Sequence, residues 1–419
     1  MSTLATDTQD APDPVNQGGI REAMSEYWVR VRGGDLGSLP AVLGLVVLVA
    51  LFTALEGQTF FSAFNFANLV SQAAMIIVIA MGLVFVLLLG EIDLSAGFAA
   101  GTAAAVLGVT LTEREWPLPL ALVACLGTGV LIGLVIGLLV SRLGIPSFVV
   151  TLAMFLALQG LMLLIIGEGG TIGIKNDLVL ALQNKNLTPI AGWILYLVVV
   201  GGYAILSGLR LRRRMAAGLT HEAVSVWAAK LAALAILYGA VTFFLNQERS
   251  RRPELTSIMG VPYIFPLIIA LLIGLTFVLS RTGFGRHIYA VGGNAEAARR
   301  AGINVGRIKM ACFMICSTLA AVAGILFASR DNSISPSTGG STTLLFAVGA
   351  AVIGGTSLFG GRGKISDAVL GGLVVAVIAN GLPLITSEAG IQFIVTGLVL
   401  LVAASVDALS RRRSGTLTR

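Results

Sequence analysis

Long apolar runs separated by short polar segments make up most of the chain between residues 40 and 409. A helix of about 17–25 apolar residues is long enough to cross the hydrocarbon core of a bilayer. The pattern predicts twelve spans, at 40–56, 66–89, 94–112, 117–141, 146–166, 189–209, 227–246, 262–280, 308–329, 344–359, 366–386 and 391–409. The runs 94–112 and 344–359 are short and rich in Gly, Ala or Thr, which is typical of broken or re-entrant segments. We therefore expect an all-α polytopic membrane protein.

The composition agrees with this fold class. Hydrophobic residues make up 56% of the 419 residues and charged residues only 12%, and the mean hydropathy is +0.92. These values lie far from those of soluble domains. The net charge of +7 would suggest a nucleic-acid partner in a soluble protein, but here it follows from the loops. We expect no nucleic-acid partner.

The positions of the cations predict the topology. If the N-terminus is cytoplasmic and twelve spans alternate, twenty of the 28 Lys and Arg residues lie in cytoplasmic segments and seven in external ones. Cytoplasmic loops carry an excess of Lys and Arg. Both termini and the loop 281–309 are therefore predicted to be cytoplasmic. The domain division that follows is a flexible tail over 1–37, a membrane domain over 38–409 and a basic tail over 410–419.

The loop 281–309 carries six Lys and Arg residues and a pattern that predicts a short helix. Glu296, Ala297 and Ala298 favour a helix, with Arg299 continuing it. Gly302 is suited to the position that follows a helix C-terminus. The prediction is a small-faced helix with charges on its rim, a shape suited to docking into the groove of a partner.

No catalytic arrangement is visible in the sequence. A phosphate-binding loop needs G-x-x-x-x-G-K-[ST], but Gly363-Lys364 is followed by Ile365 and has Leu358 at the required glycine position. Cys312 and Cys316 lie one helical turn apart without a neighbouring ligand, so we interpret them as packing residues. We predict neither an enzyme, nor a metal site, nor a cofactor in this chain.

Four segments together resemble a known family. They are GRHIYAVGGNAEAARRAGINVGRIK over 285–309, GEIDLSAG over 90–97, IPSFVVTL over 145–152 and VIGGTSLFGG over 352–361. The chain is similar to permeases of ATP-binding-cassette (ABC) importers, in the simple-sugar branch that transports ribose, xylose or arabinose. Within that branch its length and spacing most resemble those of D-xylose permeases.

The resemblance implies a bacterial inner-membrane permease that works by alternating access. ATP and Mg²⁺ would bind a separate ATPase subunit, a periplasmic or lipid-anchored binding protein would deliver the sugar, and a second permease copy would complete the pathway. The loop helix would be the coupling helix that docks onto the ATPase. Its expected coupling residues are Gly292, Gly293, Asn294, Glu296, Ala297, Ala298, Arg299 and Gly302.

Polar residues at membrane depth are the candidates for the substrate pathway. Glu91, Asp93 and Ser95 lie at a break between two apolar runs, where transporters commonly build sites. Either Asp93 or Ser95 is also expected to cap the following helix. Amides and aromatic rings suit sugar recognition, although an amide can equally bond a neighbouring helix. The complete candidate set is Asn68, Gln72, Glu91, Asp93, Ser95, Phe148, Gln159, Phe346 and Asn380.

Two departures from the family pattern leave the cargo open. Leu344 and Phe346 stand where relatives have an acidic pair, and Gln159 stands where they carry Arg. We interpret the two departures as compensating each other: if the acids and the Arg of relatives pair with one another, losing both leaves no unpaired charge. The alternatives are the same ABC mechanism with a nucleoside, hexose or autoinducer-type cargo, or a stand-alone secondary sugar carrier that would depend on Glu91 and Asp93.

Overall fold

The computed structural model describes residues 37–416, except 168–169, 220 and 251, and a few positions between 19 and 29. The predicted N-terminal tail therefore lies almost entirely outside the described residues. Numbered in chain order, the helices are α1 Leu39–Phe60, α2 Ala63–Leu88, α3 Ala96–Gly108, α4 Leu118–Ser141, α5 Ser147–Ile166, α6 Asp177–Asn184, α7 Pro189–Ala216, α8 Val224–Leu245, α9 Ile264–Arg281, α10 Gly283–Gly293, α11 Ala295–Arg300, α12 Val305–Asp331, α13 Gly340–Gly354, α14 Ile365–Ile385 and α15 Ala389–Thr416. Two short strands, β1 Ile172–Gly173 and β2 Ser333–Ile334, form a single antiparallel pair.

Ten helices in the described part of the chain are long and apolar enough to cross a bilayer, which confirms the all-α polytopic fold. The run predicted at 94–112 is one of them, and it consists of α3 and a π-helical turn, Val109–Glu113. A full span does not form at 344–359, which favours the broken or re-entrant alternative, because α13 has only 15 residues and ends at Gly354. Gly355 then adopts φ +121°, and the chain leaves the helix there.

A second correction concerns the arginine-rich segment 210–214. The predicted spans 189–209 and 227–246 place it in the loop between them, but α7 continues through it to Ala216. The end of an apolar run marks the edge of the hydrocarbon core. It does not mark the end of the helix, because arginine is itself a good helix former.

Helices α2, α12 and α14 form the centre of the bundle. In the most apolar 18-residue stretch of α2, 94% of the residues are buried, whereas in that of α7 only 6% are buried. The buried side chains of α2 form a nearly continuous run, and 61% of the most apolar stretch is buried in both α12 and α14, whereas α7 and α8 leave most of theirs exposed. A helix that is apolar all round and exposed is suited to lipid.

Helices α4 and α12 are in backbone contact along one stripe of glycines. A Cβ atom built on these glycines would lie 2.5–2.8 Å from backbone atoms of α12, which leaves no room for a side chain. Small residues at such spacing allow membrane helices to approach closely. The three glycines are Gly129, Gly133 and Gly137, which face Ser317, Met314 and Met310.

The loops gather at two ends of the bundle. At the β1–β2 end, the strands pair and Asn184 Nδ2 donates to the carbonyl oxygen of Ser329 at 2.7 Å. At the α11 end, the Gly361 amide donates to the carbonyl oxygen of Leu88 at 2.8 Å. The segments predicted to share one side of the membrane thus lie together in space.

Candidate functional site

Helix α11 forms at the predicted position in the loop 281–309. The Asn294 side chain caps its N-terminus, and its Oδ1 accepts a hydrogen bond from the Ala297 amide at 2.9 Å. Asn is among the preferred N-cap residues because its side-chain oxygen satisfies an amide that has no partner within the helix. Ala298 is buried and attaches α11 to the protein, while Ala297 faces outward with the charged side chains.

Gly302 ends α11 in the manner the sequence predicts. It adopts φ +85°, and its amide donates to the carbonyl oxygen of Arg299 at 3.0 Å. The next amide, that of Ile303, donates to the carbonyl oxygen of Ala298, also at 3.0 Å. This pair of bonds is the Schellman motif, in which glycine is favoured because the left-handed conformation strains other residues. The direction of the chain after α11 therefore depends on Gly302.

The exposed rim of α11 carries one carboxylate, that of Glu296, and two arginines that pair with it. Glu296 forms ion pairs with Arg299 at 3.1 Å and with Arg300 at 3.3 Å, and all three side chains are exposed. The acid lies in the first turn and the cations in the last, an arrangement that the helix dipole favours. Exposed pairs add little to stability, so these charges remain available to a partner.

Gly292, at the end of α10, brings three loops together. A Cβ atom there would overlap the carbonyl oxygen of Leu88 and would lie 2.8 Å from the amide nitrogen of Gly361. A Cβ atom on Gly360 would in turn lie 2.8 Å from the carbonyl oxygen of Gly292. We call Leu88, Gly292, Gly360 and Gly361 the glycine junction. It joins α10 to the end of α2 and to the loop between α13 and α14.

Tyr289 adds a side-chain contact beside the junction. Its hydroxyl donates to the carbonyl oxygen of Gly363 at 2.7 Å. Burial, and after it the negative charge of Asp367, raises the pKa of Tyr289 above its ordinary value. The hydroxyl therefore keeps its proton and remains a donor at physiological pH.

Glu91 pairs with a cation that the sequence reading did not single out. It lies in the break between α2 and α3, and its carboxylate forms an ion pair with Lys309 in the second turn of α12. Both side chains are mostly buried, with 15% of Glu91 and 24% of Lys309 exposed. The break is also fixed to α5, because the Ile92 amide donates to Ser147 Oγ at 3.2 Å. The ion pair links the α2–α3 break to the helix that follows α11.

The predicted cap of α3 differs from the observed one. Ser95 is the N-cap residue, but its side chain makes no capping hydrogen bond. Its hydroxyl and its amide both donate to Asp93 Oδ1, at 2.6 Å and 2.9 Å. Asp93 and Ser95 are fully buried and are used to close the turn before α3.

The amide candidates lie at the β1–β2 end, away from Glu91. Asn380 and Asn65 exchange two hydrogen bonds, of 2.8 Å and 3.0 Å, between α14 and α2. Gln72 Oε1 accepts a longer bond of 3.5 Å from Asn380. Arg330 donates to Asn68 Oδ1 at 2.9 Å. These contacts favour the helix–helix interpretation of the amides.

The remaining candidates are not brought together. Phe148 and Gln159 are exposed on α5, and Phe346 is half-buried on α13. Leu344, the other position in α13 that departs from the family pattern, is buried.

Sequence reasoning missed the partners in these contacts: Asn65, Tyr289, Lys309 and Arg330. Lys309 and Arg330 carried a signal, as cations at the two ends of the apolar run 308–329.

Comparison with known proteins identifies the family. The family model described as "Branched-chain amino acid transport system / permease component" matches residues 65–404. The xylose transport system permease protein XylH of Escherichia coli K12 is 36% identical over 373 residues, which cover 89% of this chain and 92% of that protein. XylH of Haemophilus influenzae is 33% identical over 89% of this chain and 96% of its own length. The ribose import permease protein RbsC of E. coli K12 is 29% identical over 88% of this chain and 92% of its own length.

No solved structure matches the chain significantly. The family match covers most of the chain and includes the junction, α11 and the α2–α3 break. With ten candidate spans among the described residues, the chain therefore belongs to this family of bacterial ABC-importer permeases, as a multi-pass protein of the inner membrane.

Proposed function

We propose that this permease moves a monosaccharide, xylose or a related pentose, inward across the membrane. The cargo rests on the two XylH relatives, which match nearly the full length of the chain. The mechanism rests on one structural observation. The exposed helix α11 follows α10, whose glycine junction reaches α2 and the α13–α14 loop, and the Glu91–Lys309 ion pair links the α2–α3 break to α12.

The proposal includes three partners. A separate ATPase binds ATP and Mg²⁺, a binding protein delivers the sugar from outside, and a second permease copy completes the pathway. Both termini and α11 are cytoplasmic in this proposal. The excess of cations in these segments supports that orientation.

In the proposed mechanism, closure of the ATPase subunits displaces α11, and α10 moves with it. The glycine junction passes the displacement to α2 because Gly292 lies against the carbonyl group of Leu88 without an intervening side chain. The Glu91–Lys309 pair makes the α2–α3 break follow α12. The result is a concerted change at the α11 end, while the β1–β2 end stays paired.

Gly302→Ala is expected to uncouple ATP hydrolysis from uptake while membrane insertion persists. Alanine at φ +85° strains the turn by roughly 1 kcal/mol, which changes the angle at which α11 meets the ATPase. Glu296→Gln is expected to act in the same direction by removing the carboxylate between the two arginines. The measurement is sugar uptake per ATP hydrolysed in proteoliposomes. Gly306→Ala, at a glycine with negative φ and no close neighbour, is the control. Unchanged coupling in both test variants would contradict the docking assignment.

Asn380→Leu tests whether the amides at the β1–β2 end bind sugar or hold helices together. The structure supports the second role, so we expect a loss of about 0.6–1.7 kcal/mol in stability and an unchanged KM. Thermal unfolding in detergent and uptake kinetics measure the two effects separately. The double variant Asn65→Leu/Asn380→Leu should recover part of the stability, since neither amide is left alone. A raised KM with unchanged stability would instead return Asn380 to the substrate pathway.

The experiment that tests the function is uptake of radiolabelled xylose into proteoliposomes. We expect uptake only when the permease, the ATPase, the binding protein and ATP are all present. Uptake by the permease alone would contradict the coupling mechanism and would favour a secondary carrier. Coupled ATP hydrolysis that a different sugar stimulates would keep the mechanism and change the cargo.

A further inference from the structure

Helices α7 and α8 form a hairpin at the periphery of the bundle. Only 6% of the apolar window of α7 and 17% of that of α8 are buried. Aromatic contacts join the hairpin to the bundle at the β1–β2 end: Tyr238 stacks on Phe265 at 5.6 Å, and Phe244 contacts Phe66 at 5.7 Å. The opposite end, where α7 meets α8, carries a concentration of charge that the transport mechanism does not use.

Four arginines, at positions 210, 212, 213 and 214, occupy the last turns of α7, and all are exposed. Arg210, Arg213 and Arg214 are related by i, i+3 and i, i+4 spacing and therefore share one face of the helix. The nearest acidic residue in sequence is Glu222, and its carboxylate is already paired with Lys230. Among the described residues, no salt bridge includes any of the four arginines.

The arginine-bearing end of the hairpin has a defined conformation. Trp227 Nε1 donates to Ser207 Oγ at 2.8 Å and joins α8 to α7 one turn before the arginines. Gly218 adopts φ +64°, and the Leu219 amide donates to the carbonyl oxygen of Arg214 at 3.0 Å. The last turn of α7 is thus closed, and its carbonyl groups do not need the arginine side chains as partners.

Apolar side chains lie beside the arginines and are also exposed. The exposed fractions are 44% for Met215, 56% for Leu219 and 51% for Val224. Arginine next to exposed aliphatic residues at the end of a lipid-facing helix is suited to the boundary between acyl chains and headgroups. A guanidinium group binds phosphate oxygens through paired N–H donors.

We propose that this arginine face, together with Met215 and Leu219, binds the headgroups of anionic phospholipids. The bilayer is the committed occupant because the hairpin is continuous with the lipid-facing surface and because the arginines lack an acidic partner in the described chain. The proposal does not depend on the cargo or on the ATPase. The arginines hold the headgroup phosphates, and the aliphatic side chains enter the adjacent acyl region.

The test uses the purified full-length permease in detergent. The variant Arg210→Gln/Arg213→Gln/Arg214→Gln removes the shared face. The variant Arg114→Gln/Lys175→Gln/Lys185→Gln removes the same charge from exposed positions elsewhere. Native mass spectrometry counts phosphatidylglycerol and phosphatidylcholine molecules retained at equal lipid concentrations. Thermal unfolding without added lipid shows whether each variant is folded.

We expect the arginine variant to retain at least about fivefold less phosphatidylglycerol than the wild type, since several basic residues each attract an anionic surface. The control variant should match the wild type, and phosphatidylcholine should bind equally to all three. Equal phosphatidylglycerol binding by the arginine variant and the wild type would overturn the proposal. An equal loss of phosphatidylglycerol in the control variant would also overturn it. The same holds if the arginine variant keeps its phosphatidylglycerol but no longer assembles with the ATPase, because a protein partner would then cover the arginines.

Discussion

Gly292→Ala is expected to reduce ATP-driven uptake strongly while the permease still inserts and assembles. The added methyl group overlaps the carbonyl oxygen of Leu88 and presses on the Gly361 amide. Both neighbours are backbone atoms, so no side chain can rotate away, and the loops themselves must separate. Inserting a methyl group into such a contact costs about 1–3 kcal/mol. We expect uptake to fall by at least about tenfold, because 1.4 kcal/mol corresponds to a factor of ten, while ATP hydrolysis continues.

The adjacent glycine provides a matched control. A Cβ atom on Gly293 meets nothing within 4 Å, so Gly293→Ala makes the same chemical change one residue away without a clash. Although the sequence also placed Gly293 among the coupling residues, this variant should retain uptake close to that of the wild type, because no neighbour has to move. Parallel measurements of uptake and ATP hydrolysis in proteoliposomes, with protein yield after size-exclusion chromatography, separate a coupling defect from misfolding. Equal activity of the two variants would mean that the glycine junction does not transmit the motion of α11.

Lys309→Met is expected to have the second-largest effect. It leaves the Glu91 carboxylate mostly buried without its cation. Removing one partner from a fully buried ion pair costs about 3–5 kcal/mol, and an exposed pair contributes at most about 1 kcal/mol. This partly buried pair should fall between those limits. Uptake and thermal stability are both expected to decrease, because the α2–α3 break is no longer tied to α12.

A charge reversal distinguishes the ion pair from a general loss of positive charge. The variant Glu91→Lys/Lys309→Glu should regain part of the stability and uptake that either single reversal loses, since the pair is restored with opposite polarity. Arg307→Gln removes an exposed cation two residues away and should have little effect. If the double reversal were no better than the single variants, Glu91 and Lys309 would act separately.

Features that depend on neighbouring residues in the sequence could be predicted. The apolar runs gave the membrane helices, and the residues of α11 and Gly302 gave a short helix with its glycine ending. A full span at 344–359 is prevented by one local feature. The glycine pair Gly354-Gly355 interrupts an apolar run, and hydropathy does not register a change to positive φ.

Contacts between distant segments could not be predicted from one sequence. Glu91 and Lys309 are 218 positions apart, and Asn65 and Asn380 are 315 apart. A carboxylate at membrane depth needs a partner, but that requirement does not identify which cation supplies it. The interpretation of Asn380 as either a sugar ligand or a helix contact likewise depended on a neighbour contributed by another helix.

The glycine stripe between α4 and α12 has a consequence for measuring motion in this permease. Backbone lies against backbone along the stripe, and we expect α4 and α12 to move as one unit. Spin labels on the outer surfaces of these two helices should therefore report a constant separation throughout the transport cycle. The distance between these two labels then serves as a constant reference, against which displacements of α10, α11 and the α2–α3 break can be measured in the same sample.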